Sequence, residues 1–171
     1  MADELIKRAR DGDSSAWNAL IDHHKELAFS IALRYLKNRD DALDVVQDAF
    51  VLAFRYISGF RDEAKFSTWL YKIVYHECLR MLKKRKTTTE FESGWLDSES
   101  SDEDEIAQET DISALMQKLN PNEYLIIQLF YLEEKSINDI SEITGFSKSN
   151  IKVMLHRSRE KMRISAQDPT L

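Results

Sequence analysis

The chain has 171 residues, 43% of them hydrophobic, which is enough for one domain or two small ones with real cores. Four glycines and two prolines disfavour a turn-rich β protein, and the single cysteine, Cys78, excludes an internal disulfide and favours a reducing compartment. The net charge is −6, and no signal-like N-terminus or apolar run of membrane-spanning length is present, which predicts a cytoplasmic chain without membrane insertion.

Three long helices are predicted in the first half of the chain. Apolar residues recur every three or four positions over residues 3–38, which predicts one helix. A second helix is predicted over residues 42–57, and a third over residues 67–85 after a loop that contains Gly59. Because no strand pattern or internal repeat is present, the predicted fold class is all-α.

An acidic tract follows the third helix. Residues 87–113 contain ten Asp or Glu and no Lys or Arg, whereas residues 65–86 contain seven Lys or Arg and one acid. Because like charges repel and apolar side chains are sparse, residues 87–111 are predicted to be a mobile linker that a protease cuts first. The linker would join an N-terminal domain, residues 1–86, to a C-terminal domain, residues 112–171.

The second helix also has an acidic edge. Its acidic residues are Asp40, Asp41, Asp44 and Asp48. Acids near a helix N-terminus are favoured by the macrodipole, which accounts for Asp41 and Asp44 but poorly for Asp48. An unneutralised edge beside exposed apolar side chains would suit a basic protein partner.

The third helix combines aromatic rings with positive charge in the sequence FSTWLYKIVYHECLRMLKKRK. Bases of single-stranded DNA stack on aromatic rings while Lys and Arg follow the phosphates. Trp69, Tyr71 and Tyr75 could serve as such rings, or they could be core residues beside a solvated basic face. Both interpretations remain open at this point.

The C-terminal domain contains a helix-turn-helix pattern. Asn120-Pro121 can begin one helix, Ser136 with Asp139 forms a capping-box pattern for the next, and Gly145 can end it in the left-handed conformation. A serine two residues later can cap the last helix, which carries a cationic stripe made of Lys148, Lys152, His156, Arg159 and Arg163. Such a helix suits the DNA major groove, although a solvated amphipathic helix has the same pattern.

Residues suited to catalysis or metal binding are not grouped in the sequence. The four histidines lack cysteine partners, Cys78 has apolar neighbours typical of a core residue, and there is no glycine-rich phosphate loop. We therefore predict no catalytic site, no metal and no cofactor, and that the protein is not an enzyme.

Two segments resemble a known family. The segment DALDVVQDAFVLAFRYISGFRDEAKFSTWLYKIVYHECLRMLKKRK resembles region 2 of the bacterial sigma-70 family, and ALMQKLNPNEYLIIQLFYLEEKSINDISEITGFSKSNIKVMLHRSREKMR resembles its region 4. The resemblance covers residues 5–86 and 112–164. The short form with only these two regions is the extracytoplasmic-function (ECF) group.

The resemblance implies a sigma factor with defined partners. Such a protein binds core RNA polymerase through the β′ coiled coil and the β subunit, recognises and melts promoter DNA, and is often held by an anti-sigma factor. The implied polymerase-binding residues are Asp41, Asp44, Gln47 and Asp48. The implied minus-ten residues are Phe60, Arg61, Lys65, Phe66, Ser67, Trp69, Lys72, His76, Arg80 and Lys83. The implied minus-thirty-five residues are Ser147, Lys148, Ser149, Asn150, Lys152, His156, Arg157 and Arg159.

Two positions depart from the family pattern, and two other functions stay open. Family members commonly carry Asn at His76, so the base preference at the minus-ten element is expected to differ. Many carry Arg at Met154, so one groove contact at the minus-thirty-five element is expected to be absent. The first alternative function is a stand-alone helix-turn-helix regulator, which binds DNA without polymerase. The second is a helical adaptor whose basic faces bind acidic proteins.

Overall fold

A computed structural model describes residues 2–60, 65–92 and 111–167. Within these ranges the chain forms helices and turns and no strand, so the prediction of an all-α fold is confirmed. The chain divides into two compact units, Met1–Asp97 and Ser98–Leu171. In the described ranges, no helix is both long enough and apolar enough to span a bilayer.

The N-terminal unit is built from four helices within its described residues: α1 (Ala2–Arg10), α2 (Ser14–Leu36), α3 (Arg39–Tyr56) and α4 (Phe66–Glu92), with a short 3-10 turn (Ile57–Gly59) after α3. Helix α2 packs against the other three, and α3 packs along α4. This arrangement brings the acidic edge of α3 beside the basic helix α4.

The single helix predicted over residues 3–38 is wrong, because a turn separates α1 from α2. Gly12 has a φ of 88°, which residues with a side chain rarely adopt, and the helix is interrupted there. Asp13 then caps α2 by accepting hydrogen bonds from the backbone N–H groups of Ser15 and Ala16. Arg8 pairs with the same carboxylate at 2.6 Å, which joins α1 to the cap.

The core of the N-terminal unit lies where α2, α3 and α4 meet. Ile31, Val45 and Leu70 contribute one fully buried side chain from each helix. Burial of such a side chain stabilises the fold by roughly 1.5–3 kcal/mol. The core also contains a polar pair, since Nδ1 of buried His24 lies 3.0 Å from the hydroxyl oxygen of Tyr71.

Helix α4 is longer than predicted, so residues 87–92 of the proposed linker are helical rather than irregular. Thr87 and Thr88 donate hydrogen bonds from their hydroxyl groups to the carbonyl oxygens four residues earlier, which is compatible with a continuing helix. Residues 93–110, the remainder of the linker apart from Asp111, lie outside the described residues.

The C-terminal unit consists, over its described residues, of α5 (Asp111–Gln117), α6 (Pro121–Ile127), a π-helical turn (Gln128–Leu132), α7 (Ile137–Thr144) and α8 (Lys148–Gln167). Helix α8 packs against α5, α6 and α7. Helices α7 and α8 form the predicted helix-turn-helix, and the rest of the unit supports the inner side of α8.

The predicted caps of the C-terminal unit are confirmed. Asn120 and Ser136 each begin a helix with a complete capping box, in which the side chains of Glu123 and Asp139 reach back to the cap. Gly145 ends α7 with a φ of 75°, in the left-handed conformation that glycine adopts without strain. The turn before α8 is therefore fixed by local sequence.

Candidate functional site

One exposed side of α3 combines acidic and apolar residues. The spacing of three or four positions places these residues on one side of the helix. We call this surface the α3 face, and it consists of Leu43, Asp44, Gln47, Asp48, Val51 and Phe54, all exposed. Phe54 is 54% exposed even though its ring packs on Trp17 at 5.4 Å. A charged rim around apolar side chains is typical of a protein-binding surface.

The acidic edge is partly neutralised, in contrast to the prediction. Asp41 forms an ion pair with Arg85, and Asp48 lies 3.6 Å from the guanidinium group of Arg80. Both cations come from α4, which packs along α3. A sequence pattern within one helix could not reveal partners that a second helix contributes.

A row of basic residues runs along α4 and includes the residue before it, with one aromatic ring in the row. The α4 stripe consists of Lys65, Trp69, Lys72, His76, Arg80 and Lys83, at intervals of three or four residues. Lys65, His76, Arg80 and Lys83 are exposed, whereas Lys72 and Trp69 are half-buried. Arg80 also donates to the carboxylate of Glu77 at 2.5 and 2.8 Å, and this hydrogen bond raises the pKa of the Arg80 guanidinium.

Trp69 belongs to an aromatic cluster at the start of α4. Its ring centroid lies 5.1 Å from that of Phe60 and 5.7 Å from that of Phe66, within the range of favourable ring contacts. Phe60 and Phe66 are only 7% and 5% exposed, so their rings support Trp69 from inside. Tyr71 and Tyr75 are buried core residues, which settles the open interpretation for those two rings.

Two residues of the predicted minus-ten set remain, Ser67 and Arg61. Ser67 is half-buried in the first turn of α4. Arg61 lies outside the described residues. The structure therefore places Trp69 and the cations of the α4 stripe together on one surface and leaves the two Phe rings beneath it.

All eight residues predicted to bind on α8 are exposed. Ser147 caps the helix, because its hydroxyl oxygen accepts a hydrogen bond from the backbone N–H of Asn150 at 3.2 Å. Ile151 and Leu155 are buried on the opposite side, and Lys161 binds the buried carboxylate of Glu123 at 2.6 Å. These contacts fix α8 with its cationic side facing solvent.

Cys78 is fully buried in α4. Burial raises the pKa of its thiol to about 12, so the thiol stays protonated and unreactive at neutral pH. The structure thus agrees with the interpretation of Cys78 as a small core residue.

Comparison with known families finds a match within each of the two units. The family model for sigma-70 region 2 matches residues 20–88, and the model for sigma-70 region 4 matches residues 109–162. The two matches together cover more than two thirds of the chain, in the order predicted from the sequence. The chain belongs to the sigma-70 family.

Curated relatives indicate the ECF group of this family. The chain is 29% identical to RNA polymerase sigma factor SigV of Bacillus subtilis (strain 168) over 144 residues, which cover 84% of this chain and 87% of SigV. It is 28% identical to ECF RNA polymerase sigma factor SigW of the same organism, in an alignment that covers 98% of each chain. Sigma-E of Escherichia coli (strain K12) is 26% identical in an alignment that covers 91% of this chain and 89% of that protein.

Solved structures share the fold. CnrH in complex with the cytosolic domain of CnrY superposes with a TM-score of 0.67 at 20% identity, and the match covers 99% of each chain. The sigma factor RpoE in complex with the anti-sigma factor NepR from Bartonella quintana gives a TM-score of 0.67 at 20% identity, covering 86% of this chain and 98% of that one. At this identity the likeness concerns the fold.

The sigma regions contain the surfaces described above, and each includes residues that the sequence analysis missed. Sigma region 2 holds the α3 face and the α4 stripe, and sigma region 4 holds α8 up to residue 162. The missed residues are exposed apolar side chains beside predicted polar contacts: Leu43, Val51 and Phe54 on α3, and Val153 on α8. The sequence pattern that could have revealed them is an apolar residue at helical spacing within a row of charged or polar residues on one side of a helix.

Proposed function

We propose that this chain is a sigma factor that binds core RNA polymerase and directs promoter recognition, DNA melting and the initiation of transcription. One observation carries the proposal. Sigma region 2 and sigma region 4 occur in that order in one chain, in two compact units, and each unit presents a cationic helix to solvent. A promoter-specificity subunit needs two such DNA-binding surfaces and has no catalytic site of its own.

The α3 face is the proposed docking site for the β′ coiled coil of core polymerase. Asp44, Gln47 and Asp48 are exposed and offer acceptors to basic residues, while Leu43 and Phe54 offer apolar area. Asp41 belongs to this site only if its ion pair with Arg85 is exchanged for one with the polymerase. The β subunit is proposed as a further polymerase contact.

The α4 stripe is the proposed minus-ten site. Trp69 offers a half-exposed ring on which a base can stack, and Lys72 and Lys83 lie along the same side for the phosphates. Phe60 and Phe66 act in this proposal by supporting Trp69. His76 is exposed at the centre of the stripe, where it can contact a base.

Helix α8 is the proposed minus-thirty-five site. The residues from Ser147 to Asn150 lie at its N-terminal end, the part of a recognition helix that contacts base edges. Lys152 and Arg159 are exposed further along the helix and suit phosphate contacts. The helix is held rigidly against α6 by the ion pair between Lys161 and Glu123.

An anti-sigma factor is proposed as a further partner. The RpoE structure, which shares the fold, contains the anti-sigma factor NepR, and the CnrH structure contains the cytosolic domain of CnrY. A partner of this kind would cover surfaces that otherwise bind polymerase or DNA. Because the chain acts with RNA polymerase, we place its activity in the cytoplasm.

Transcription reconstituted from purified core RNA polymerase tests the proposed function. Core enzyme, the full chain and a library of promoter templates are combined, and transcript starts are sequenced. We expect starts downstream of a shared pair of promoter elements only when both proteins are present. The matched control is the chain with Lys148→Ala and Lys152→Ala, which should bind core enzyme normally and lose preference at the upstream element.

Nuclease protection of DNA by the chain alone, compared with the transcription reaction, separates the alternative functions. A stand-alone regulator would protect specific DNA sites from nuclease without core enzyme, and an adaptor would bind neither promoter DNA nor core enzyme. Sequence-specific protection by the chain alone, with no polymerase-dependent starts, would overturn the proposed function.

A further inference from the structure

Helix α1 contacts the aromatic cluster that supports the proposed minus-ten site. One amino group of the Arg10 guanidinium donates a hydrogen bond to the backbone carbonyl oxygen of Phe60 at 2.5 Å. The guanidinium carbon also lies 5.3 Å from the centroid of the Phe60 ring, in cation–π contact. A single side chain therefore holds both the backbone and the ring of Phe60.

Phe60 in turn contacts the residues that begin α4. Its ring lies 5.9 Å from that of Phe66, edge to face, and 5.1 Å from that of Trp69. Phe60 directly follows the 3-10 turn after α3, and Phe66 begins α4, so contacts between these two rings join the chain on either side of the intervening loop. A shift of Phe60 would move the support beneath the exposed part of Trp69.

We propose that Arg10 is a positioning residue for minus-ten recognition, an inference that rests on the proposed function. Arg10 lies outside the region 2 match, which begins at residue 20. By fixing Phe60, Arg10 sets the position and tilt of the Trp69 ring relative to the cations of the α4 stripe. A fixed ring discriminates between bases because stacking and edge contacts then require one geometry.

The chemistry of Arg10 suits this role. A guanidinium group is planar, so it can stack on a ring while its N–H groups donate in the same plane. A lysine at this position could donate one hydrogen bond to the carbonyl oxygen of Phe60 but could not stack as a plane. Arg10→Lys should therefore retain part of the function, and Arg10→Met, which keeps the apolar stem, should lose more.

The test measures base discrimination by holoenzyme, made from core polymerase and the full chain. The probes are fork-shaped promoter DNAs with a single-stranded minus-ten element. Wild-type holoenzyme first selects a preferred minus-ten sequence from a randomised library of such forks. The probes then carry either this selected sequence or single-base variants of it. For Arg10→Met we expect the preference for the selected sequence to fall about fivefold at one or more positions, the worth of one hydrogen bond. The base discrimination of Arg10→Lys should lie between that of Arg10→Met and that of the wild type.

The ratio between probes separates positioning from simple loss of fold. Unfolded protein binds no probe, so it lowers the active concentration and leaves the ratio unchanged. Arg8→Met is the matched control, because Arg8 also joins α1 to a neighbouring element, the cap at Asp13, without contacting Phe60. This control should keep wild-type discrimination, and all three variants should bind core polymerase within about twofold of wild type.

The outcomes are distinguishable. Unchanged discrimination in Arg10→Met, or an equal loss in Arg8→Met, would overturn the inference and leave the proposed function standing. If wild-type holoenzyme selected no minus-ten sequence at all, the proposed function and the inference would fail together.

Discussion

The two cationic helices of this protein differ in how their charges are engaged. On α4, Arg80 is paired with Glu77 and lies near Asp48, and Arg85 is paired with Asp41. On α8, Lys148 and Lys152 are exposed and take part in none of the ion pairs among the described residues. The similar positive patterns in the sequence therefore correspond to ion pairs at different places along the two helices.

This difference follows from what each helix packs against. Helix α4 lies along the acidic edge of α3, and the α4 residues Arg80 and Arg85 pair with acids of that edge. These two cations therefore serve the internal structure of the unit. Helix α8 packs through Ile151 and Leu155, and the acid that reaches it, Glu123, binds Lys161 near its C-terminal end. On α8 the paired cations, Lys161 and Arg163, both lie toward the C-terminal end, whereas on α4 the pairing includes Arg80 within the α4 stripe.

The largest expected effect tests whether the two units are independently stable. Leu70→Ala removes a fully buried side chain from the N-terminal unit, and Leu129→Ala does so in the C-terminal unit. Each change should destabilise its own unit by about 2–5 kcal/mol, because the surrounding residues only partly fill the cavity. Hydrogen exchange followed by mass spectrometry should show lost protection in one unit at a time. Equal loss in both units after either change would contradict two independently stable units.

Charge reversal on α3 tests the proposed polymerase site. Asp44→Lys with Asp48→Lys should weaken binding to core polymerase about tenfold or more, because like charges then face a basic partner. Helix content measured by circular dichroism should not change, since both side chains are exposed. The matched control is Asp22→Lys, an exposed acid on α2 away from the α3 face. Unaltered polymerase binding by the double variant would remove this assignment.

Salt dependence compares the two cationic helices directly. Lys152→Ala should reduce the slope of log affinity against log salt by about one, as expected for the loss of one phosphate contact. Arg80→Ala should reduce the slope by less, because Glu77 already partly neutralises its guanidinium in the free protein. Filter binding of holoenzyme to promoter DNA at several salt concentrations measures both. A larger change for Arg80→Ala would show that its guanidinium group is more available to DNA than the ammonium group of Lys152.

The smallest expected effect comes from one strained residue in each unit. Lys37 and Glu134 both have a φ of 50°, in the left-handed region that residues with a side chain rarely adopt. Lys37→Gly and Glu134→Gly should each stabilise their own unit by about 1 kcal/mol, because glycine adopts this conformation without the steric cost. Urea denaturation checks this, with Gly145→Ala as the opposite control. Destabilisation by either glycine would show that the side chain makes a contact worth more than the strain.

The sequence by itself determined the fold class, the order of the two sigma regions and most helix ends. The order of the sigma regions comes from the resemblance to the sigma-70 family. The fold class and the helix ends depend on local rules: apolar residues at helical spacing, the capping boxes at Asn120 and Ser136, and Gly145 in the left-handed conformation. The break at Gly12-Asp13 was also local and was overlooked because the periodicity continued across it. The extension of α4 to Glu92 was missed because charge composition outweighed helix propensity in the prediction.

The tertiary structure alone decided which polar and aromatic side chains are available. Aromatic residues close together in α4 have different environments: Tyr71 is buried against His24, whereas Trp69 stays half-exposed. The pairing of Arg80 with Asp48 and the contact between Arg10 and Phe60 join residues far apart in the chain. A pattern within one helix shows which residues share a side, but the helix packed against it determines which are buried or neutralised, because burial and ion pairing depend on distance in space.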